Sequence, residues 1–501
     1  MSTSRRHFLK KSVALAGLPV AGGTAALAAT TGAAAAQGAP KGGRVLLRNG
    51  YFITQDPKLG EFRGDLLMED GRISAMGKGL KAPGAEVIDA SDMIITPGFM
   101  DSHRHLWQSA LRHIGADWTF PQYLKVMFFS FGTNFRPQDV YAQTLLGRLT
   151  ALESGITSLL DWSHVMNSPE HADAAVQAHR DSQARSVFAM GYPQTPDPTK
   201  WTQQSTLELP DDIKRVRRTH FSSNTGLVTL QMAARGPNYA VMEQVTRDLA
   251  TARELGLHST MHTGTGEGIL AMHAAKLTGP DITYVHLQSA GDDALQIIKD
   301  TGGKTSVSVL NEEWKTPWRG PIAATARLLR LGMLPSISVD TETVVPGDMF
   351  SHMRGVLQSA RYGASNDPGQ PVPGNPRAWN PAELVPASRV LSMATIGGAP
   401  VLGYGDQVGT LAPGKAADLV MFRASHPNYY PVNDAVKAIV VGADTSCVEA
   451  VFVAGRAVKF NGRLVNQALV ARARKLAGES RDYLFAKAGF SVSDELRGRK
   501  T

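Results

Sequence analysis

Two histidines one residue apart, His103 and His105, lie in the stretch "IITPGFMDSHRHLWQ" over residues 94–108. On a strand, alternate side chains share a face, so a buried strand opening with Ile94–Phe99 aims both imidazoles the same way. Imidazole nitrogen is a preferred zinc ligand and also suits iron or manganese, which makes the pair a metal-site signal, although short His-x-His matches also arise by chance. Three further polar residues add weight to it. His262 closes "LHSTMH", His286 closes "ITYVH" and Asp340 closes "LPSISVD", each at the end of an apolar, strand-like run. The single cysteine, Cys447, excludes an intrachain disulfide and a thiolate-rich site, so a metal falls to histidine and carboxylate.

Residues so far apart need a scaffold that gathers them. Between about Gly98 and Ala399, strand-like runs such as "ITSLLDWS", "GLVTLQMAA" and "KTSVSVLN" alternate with helical stretches such as "PNYAVMEQVTRDLATARELG" and "GDDALQIIKDTG". Strand and helix in repetition predict a parallel sheet with right-handed crossovers. The fold class is α/β, with a (β/α)8 TIM barrel expected over 98–399. An open doubly wound sheet also fits the alternation, but no glycine fingerprint for a dinucleotide stands at a strand-to-helix turn. In a barrel, the C-terminal ends of the strands build the active-site mouth. His262 and His286 are 24 residues apart, near one βα unit, and His286 and Asp340 are 54 apart, near two. That spacing predicts strands five, six and eight, and the 157 residues from His105 to His262 leave room for four units, which puts the histidine pair on strand one.

The two ends read differently. Alternating segments with Asn49-Gly50 and Asp70-Gly71 turns, and similar writing in "GTLAPGKAADLVMF" and "VEAVFVAGRAVKFNGRLV", predict a small β-sandwich domain assembled from 43–97 and 400–465. A helical segment over 466–501 follows. Apolar residues make up 43% of the 501 and charged ones 19%, with 49 glycines and 28 prolines, the profile of a loop-rich globular protein. Residues 1–36 resemble a twin-arginine export signal. Arg5-Arg6, then Phe8, Leu9 and Lys10, precede a mild apolar run and an Ala34-Ala35-Ala36 cleavage site. A membrane anchor is the competing reading, but the run is rich in Gly and Ala and only near the lower length limit for spanning. Removing this segment, with its four basic residues and no acids, lowers the formal charge from +8 to +4, which implies no nucleic-acid partner. The expected product is periplasmic or secreted, has the twin-arginine machinery as its export partner, and keeps no membrane anchor after cleavage.

"PGFMDSHRH", "GITSLLDWSH", "MHTG", "YVH", "SVDTE" and "GTLAPGKAADLVMF" occur in the order found in the amidohydrolase superfamily. The chain resembles that superfamily over nearly its whole mature length, most closely the branch of cytosine, guanine and adenosylhomocysteine deaminases and triazine hydrolases. The resemblance implies one divalent metal, zinc as first choice with iron or manganese as alternatives, held by His103, His105, His262 and Asp340. It implies His286 and Asp340 as the catalytic pair. Binuclear members use a carboxylated lysine on strand four, and "GLVTLQMAARGP" has none. A bound divalent ion lowers the pKa of water from about 15.7 toward ~7. Asp340 can take the released proton and return it to a leaving group, a step worth roughly 10²–10⁴-fold. His286 is placed to stabilise developing charge. Homo-oligomers are common in the superfamily.

The chain departs from the deaminase pattern at strand five. Deaminases of this branch carry His-x-x-Glu, whose acid serves a ring nitrogen; here the text is His262-Thr263-Gly264-Thr265, with Glu267 two residues further on as a replacement that needs a loop shift. Strand seven runs into "SVLNEEWKTPW", which offers Glu312, Glu313 and Trp314 as an unusual pocket wall. Gln108 is a candidate substrate-amide contact, with Trp107 beside it and His164 at the end of strand two. The loop "IGADWTFPQYLKVMFFSFG" brings Trp118 and Tyr123, suited to sandwiching a flat ring or to core packing. Asp101 is expected to orient the strand turn or a ligand imidazole. The reading is a metal-dependent hydrolase that cleaves a C–N bond of a small, cyclic, nitrogen-containing molecule. An amidase or peptidase acting on an acyl C–N bond, and a catalytically silent binding protein of the same fold, are the alternatives.

Overall fold

The structure is a computed structural model that describes residues 38–40, 42–197, 204–315, 324–366 and 384–491. The expected export signal lies outside them. Among the described residues, no helix is long and apolar enough to cross a membrane.

Five strands open the compact unit Ala39–Thr501: β1 (Arg44–Ile53), β2 (Glu61–Glu69), β3 (Arg72–Gly77), β4 (Glu86–Asp89) and β5 (Met93–Pro97). Four more close it: β14 (Leu419–Arg423), β15 (Val448–Val453), β16 (Arg456–Phe460) and β17 (Arg463–Leu464). Together they form a single mixed sheet, in which β5 lies parallel to β1 on one side and antiparallel to β14 on the other. Its buried face carries alternate residues from both chain ends, among them Val45, Leu47, Leu66, Met68, Leu419, Met421 and Phe452. The period-two pattern of a half-buried strand is what places them there.

Eight parallel strands lie between: β6 (Phe99–Arg104), β7 (Ile156–Ser163), β8 (Arg185–Met190), β9 (Val228–Ala234), β10 (Ser259–Thr265), β11 (Ile282–Ser289), β12 (Lys304–Val307) and β13 (Ser336–Ile337), paired in chain order. Helices separate them. Met242–Glu254, for example, buries Val245, Leu249 and Ala252 on one stripe, the spacing of an amphipathic helix on a sheet. The barrel closes between its first and last strands. His105 N donates to Asp340 O at 2.9 Å and Asp340 N donates to His103 O at 2.9 Å, forming a parallel bridge between Arg104 and Asp340. The C-terminal helix Gln467–Ala488 ends on Gly489, left-handed at φ 62° as helix ends often are.

The expected Ile94–Phe99 strand is divided at Gly98. Residues up to Pro97 pair with β14 in the small sheet, and Phe99 starts the barrel by pairing with Ile156 of β7. Gly98 N donates to the Asp418 carbonyl, and a Cβ on Gly98 would lie within 2.0–2.6 Å of the Thr157 side chain. A side chain therefore has no room where the chain passes from one sheet to the other.

Asp418 holds that crossing in place. Its carboxylate takes two bonds from Arg185 of β8, Nε at 2.8 Å and Nη2 at 3.2 Å, and one from Ala454 N at 2.8 Å, all buried or nearly so. Removing one partner leaves an uncompensated buried charge, which typically costs about 3–5 kcal/mol. Asp418→Ala is expected to lower unfolding stability by about that amount in urea titration, and a loss under ~1 kcal/mol would show the pair to be dispensable.

Candidate metal centre and active site

His103 lies in β6 and His105 immediately follows it, so the two rings meet edge to face with centroids 4.8 Å apart. His262, in β10, sits 4.8 Å from the His103 ring. Asp340 follows β13 and completes the group, and ligand atoms of the four side chains all lie within 4.8 Å of one another. His105 is 3% exposed and Asp340 1%.

Their hydrogen bonds point lone pairs inward. His105 Nδ1 donates to the Trp162 carbonyl at 2.8 Å, which fixes the tautomer and leaves Nε2 as an acceptor 3.2 Å from Asp340 Oδ1. Neither ring nitrogen of the fully buried His103 has a hydrogen-bond partner among the described residues. Buried polar atoms rarely stay unsatisfied, so these nitrogens fit a ligand role. Burial pushes the His103 imidazole down to about 4 and those of His262 and His286 well below the usual range, which keeps them neutral as ligation requires. Three neutral imidazoles and one carboxylate are a donor set suited to zinc.

Behind the ligands runs a buried ionic chain. Arg104, enclosed between the two histidines in sequence, bonds Asp101 Oδ2 at 3.3 Å and Glu342 Oε1 at 2.8 Å. Asp101 Oδ1 accepts from Val339 N at 3.0 Å and His103 N at 3.4 Å, so it orients the strand turn as the sequence suggests. Burial raises the Asp101 carboxyl to about 6, even against the opposing pull of Arg104.

His286, in β11, stands beside Asp340 with Nε2 3.7 Å from Oδ2. Ser308 Oγ lies 2.9 Å from its Nδ1, and Glu312 Oε1 3.6 Å away. The sequence reading missed Lys315. Its Nζ lies 2.6 Å from Asp340 Oδ2 and 3.3 Å from His286 Nε2. Burial alone would raise the Asp340 carboxyl, but the Lys315 ammonium beside it outweighs that effect and holds the group well below the carboxylate range. Lys315 ends the short helix Val309–Lys315 after β12, with no strand-end pattern to mark it.

A small cavity, partly open to solvent, lies over the cluster. Phe120, Tyr123, Phe128 and Trp162 supply aromatic wall, and His164, Arg235 and Lys315 supply polar wall. His164 and Tyr123 thus both line this mouth. Three substrate-contact expectations require correction. The Gln108 carbonyl accepts from Thr341 and Thr343 and its amide donates to Tyr123 at 2.6 Å, so it braces Tyr123 from behind instead of lining the cavity. Trp107 is fully buried against Phe128, Phe135 and His164, which makes it packing. Glu312 is also fully buried, with Oε1 accepting from Ser308 N at 2.8 Å, and it backs His286. Glu313 is exposed, and Trp314 donates to the Trp118 carbonyl at 2.7 Å. Glu267 starts the next helix on the exposed side, and Thr265 accepts from Asn238, so neither brings an acid to the cavity.

Comparison with known proteins matches this arrangement. The chain is 23% identical over 455 residues to a 5'-deoxyadenosine deaminase of Methanosarcina mazei, covering 87% of this chain and 98% of the relative. It is 27% identical over 444 residues to a 5-methylthioadenosine/S-adenosylhomocysteine deaminase of Desulforudis audaxviator, covering 84% and 94%. Among solved structures, the atrazine chlorohydrolase TrzN of Arthrobacter aurescens, complexed with zinc, shares the fold at a TM-score of 0.72 and 21% identity, over 86% of this chain and 100% of that one. The model of the amidohydrolase family spans residues 94–458, from the last strand before the barrel through the returning strands of the small sheet. With the barrel and its histidine–aspartate cluster inside that span, which covers more than half of the chain, the chain belongs to the amidohydrolase family.

Proposed function

We propose that this chain is a zinc-dependent hydrolase that cleaves a C–N bond of a small, cyclic, nitrogen-containing substrate. The observation that carries this reading is the convergence of His103, His105, His262 and Asp340 at the barrel mouth, where the His103 ring nitrogens have no hydrogen-bond partner among the described residues. The four would hold one divalent ion, which when bound supplies Lewis-acid activation of a water. Asp340 divides its oxygens between two tasks. Oδ1 faces the imidazoles of His103 and His105, and Oδ2 faces His286 and Lys315, where it can take a proton from the attacking water and pass it to the departing group. His286, its Nδ1 beside Ser308 and Glu312 and its Nε2 3.3 Å from the Lys315 ammonium, stands with that lysine where charge develops on the attacked carbon's substituent. The aromatic wall excludes water and suits a flat ring.

One observation favours a second reading. Among the described residues that line the cavity, Asp340 is the sole carboxylate, and those residues offer ring-nitrogen protonation no dedicated acid. Cleavage of an acyl C–N bond or of another leaving group needs none. Ammonia release from a panel of heteroaromatic amines, set against turnover of N-acyl substrates, decides between them. The paired Arg5-Arg6 and the small-residue cleavage site support export by the twin-arginine route to the periplasm or beyond.

Purified protein is expected to carry about one equivalent of zinc. His103→Ala is expected to lose most of it, with hydrolysis falling at least ~10³-fold; metal analysis alongside turnover checks both, and full activity without metal would end the hydrolase reading. Replacing Arg5 and Arg6 together by lysine should leave an uncleaved precursor in the cytoplasm, read by fractionation and by mass; unaltered export would exclude that route. Glu312 gives a pH prediction. Burial pushes its carboxyl from 4.5 up to about 8. Between those values the folded chain keeps a proton that the unfolded chain has released, so this contribution is full below about 4.5 and lost as pH rises through about 8. Urea midpoints of metal-free Glu312→Gln should therefore fall less between pH 5 and 8 than those of the wild type, and equal slopes would show that Glu312 is ionised throughout.

A further inference from the structure

We propose that Lys315 is a specificity-determining residue that selects anionic substrates, those whose nitrogen-containing ring or acyl group carries a carboxylate or an equivalent oxyanion. This deepens the C–N hydrolase reading and rests on it.

The charge balance of the cavity carries the argument. Among the described residues its lining contains one carboxylate, Asp340, and two basic side chains, Lys315 and Arg235. Glu267 faces solvent, and Glu312 lies behind His286. A divalent ion at the four ligands adds two further positive charges to a centre whose ligands supply a single negative one. An activated water offsets part of the excess, and the remainder sits in a partly enclosed cavity where uncompensated charge is costly. A substrate that brings a negative group of its own relieves it.

Lys315 is positioned to receive that group. Its side chain is 12% exposed, so the ammonium is held at the cavity and not in bulk solvent. Nζ reaches Asp340 Oδ2 and His286 Nε2 and lies 5.8 Å from the centre of the Phe120 ring. The cation thus stands between the reacting centre and the aromatic wall, where a substituent of a ring resting on that wall would arrive. A lysine whose sole task was to neutralise Asp340 would compete with the divalent ion for the same carboxylate. Contact with a substrate anion gives the ammonium a use that is compatible with an occupied centre. The closest alternative carrier of the preference is Arg235, whose guanidinium is already engaged with the Tyr192 ring and Ser205.

The test is equilibrium binding to the zinc-loaded full chain, using pyrimidine and pteridine carboxylates paired with the same rings lacking the carboxyl group. The wild type is expected to bind the carboxylated member at least about ten-fold more tightly, the scale of one hydrogen bond to a charged group. Lys315→Met and Lys315→Gln should shrink that preference to within about two-fold, and Lys315→Arg should keep most of it. No preference in the wild type, or a preference that survives in both neutral variants, overturns the proposal. Zinc content is measured on every variant, so failure of the metal-centre reading shows as absent zinc and failure of this inference as absent charge selectivity.

Discussion

Two backbone hydrogen bonds, His105 N to Asp340 O and Asp340 N to His103 O, close the barrel and assemble its centre in the same act. They join residues more than 230 positions apart, so the loop-closure entropy of the whole α/β array is set against a seam only one bridge long. The seam does not stand alone. Ser102 Oγ reaches the Ile337 carbonyl at 3.1 Å and Ser306 Oγ at 2.7 Å, and the Arg104–Glu342 pair crosses the same join beneath the ligands. His103, His105 and Asp340 therefore rest on strand backbone bonds and on a buried polar layer, the kind of support that holds a metal site to a fixed geometry.

That support has an electrostatic consequence. Arg104 is enclosed between two acids, and Asp101, Glu342 and Arg104 have no exposure beyond 4%. A buried ionic chain of this sort is weak evidence for net stability, because desolvation offsets most of the Coulombic attraction. Its clearer effect is orientation. Asp101 spends its second oxygen on the peptide N–H groups of Val339 and His103, one on each side of the seam, so the charge that balances Arg104 also registers strand one against strand eight.

Much of this was legible from sequence, because a barrel converts a one-dimensional pattern into a location. A polar residue that ends an apolar strand must fall at the C-terminal mouth, and His103, His105, His262, His286 and Asp340 were all readable by that rule. What the rule cannot see is a residue that arrives from a helix. Lys315 lies eight positions after β12 ends at Val307, and its approach to Asp340 depends on how the helix Val309–Lys315 turns back over the mouth. Orientation was equally hidden. Gln108 and Trp107 are in the right loop, but the three-ten turn Leu106–Leu111 rotates them into the wall, where Thr341, Thr343 and Phe135 take up their surfaces. Both halves of Ile94–Phe99 are apolar, so the pattern reads as one strand where the pairing of Pro97 with β14 and of Phe99 with β7 divides it at Gly98.

Two neighbouring residues of the site, Asp340 at φ 67° and His286 at φ 83°, are held in left-handed backbone. For side-chain-bearing residues this conformation costs on the order of 1–3 kcal/mol each and persists only where neighbours over-determine it. At Asp340 the over-determination is the seam itself, since its N–H and carbonyl are both committed across the join. At His286 it is the ring, caught between Ser308 on one nitrogen and Lys315 on the other. In each case the turn breaks the regular geometry that would send successive residues alternately to either face. The strained positions are thus the ones at which backbone bonds fix Asp340 and ring contacts fix His286, and there the two side chains come within 3.7 Å of each other.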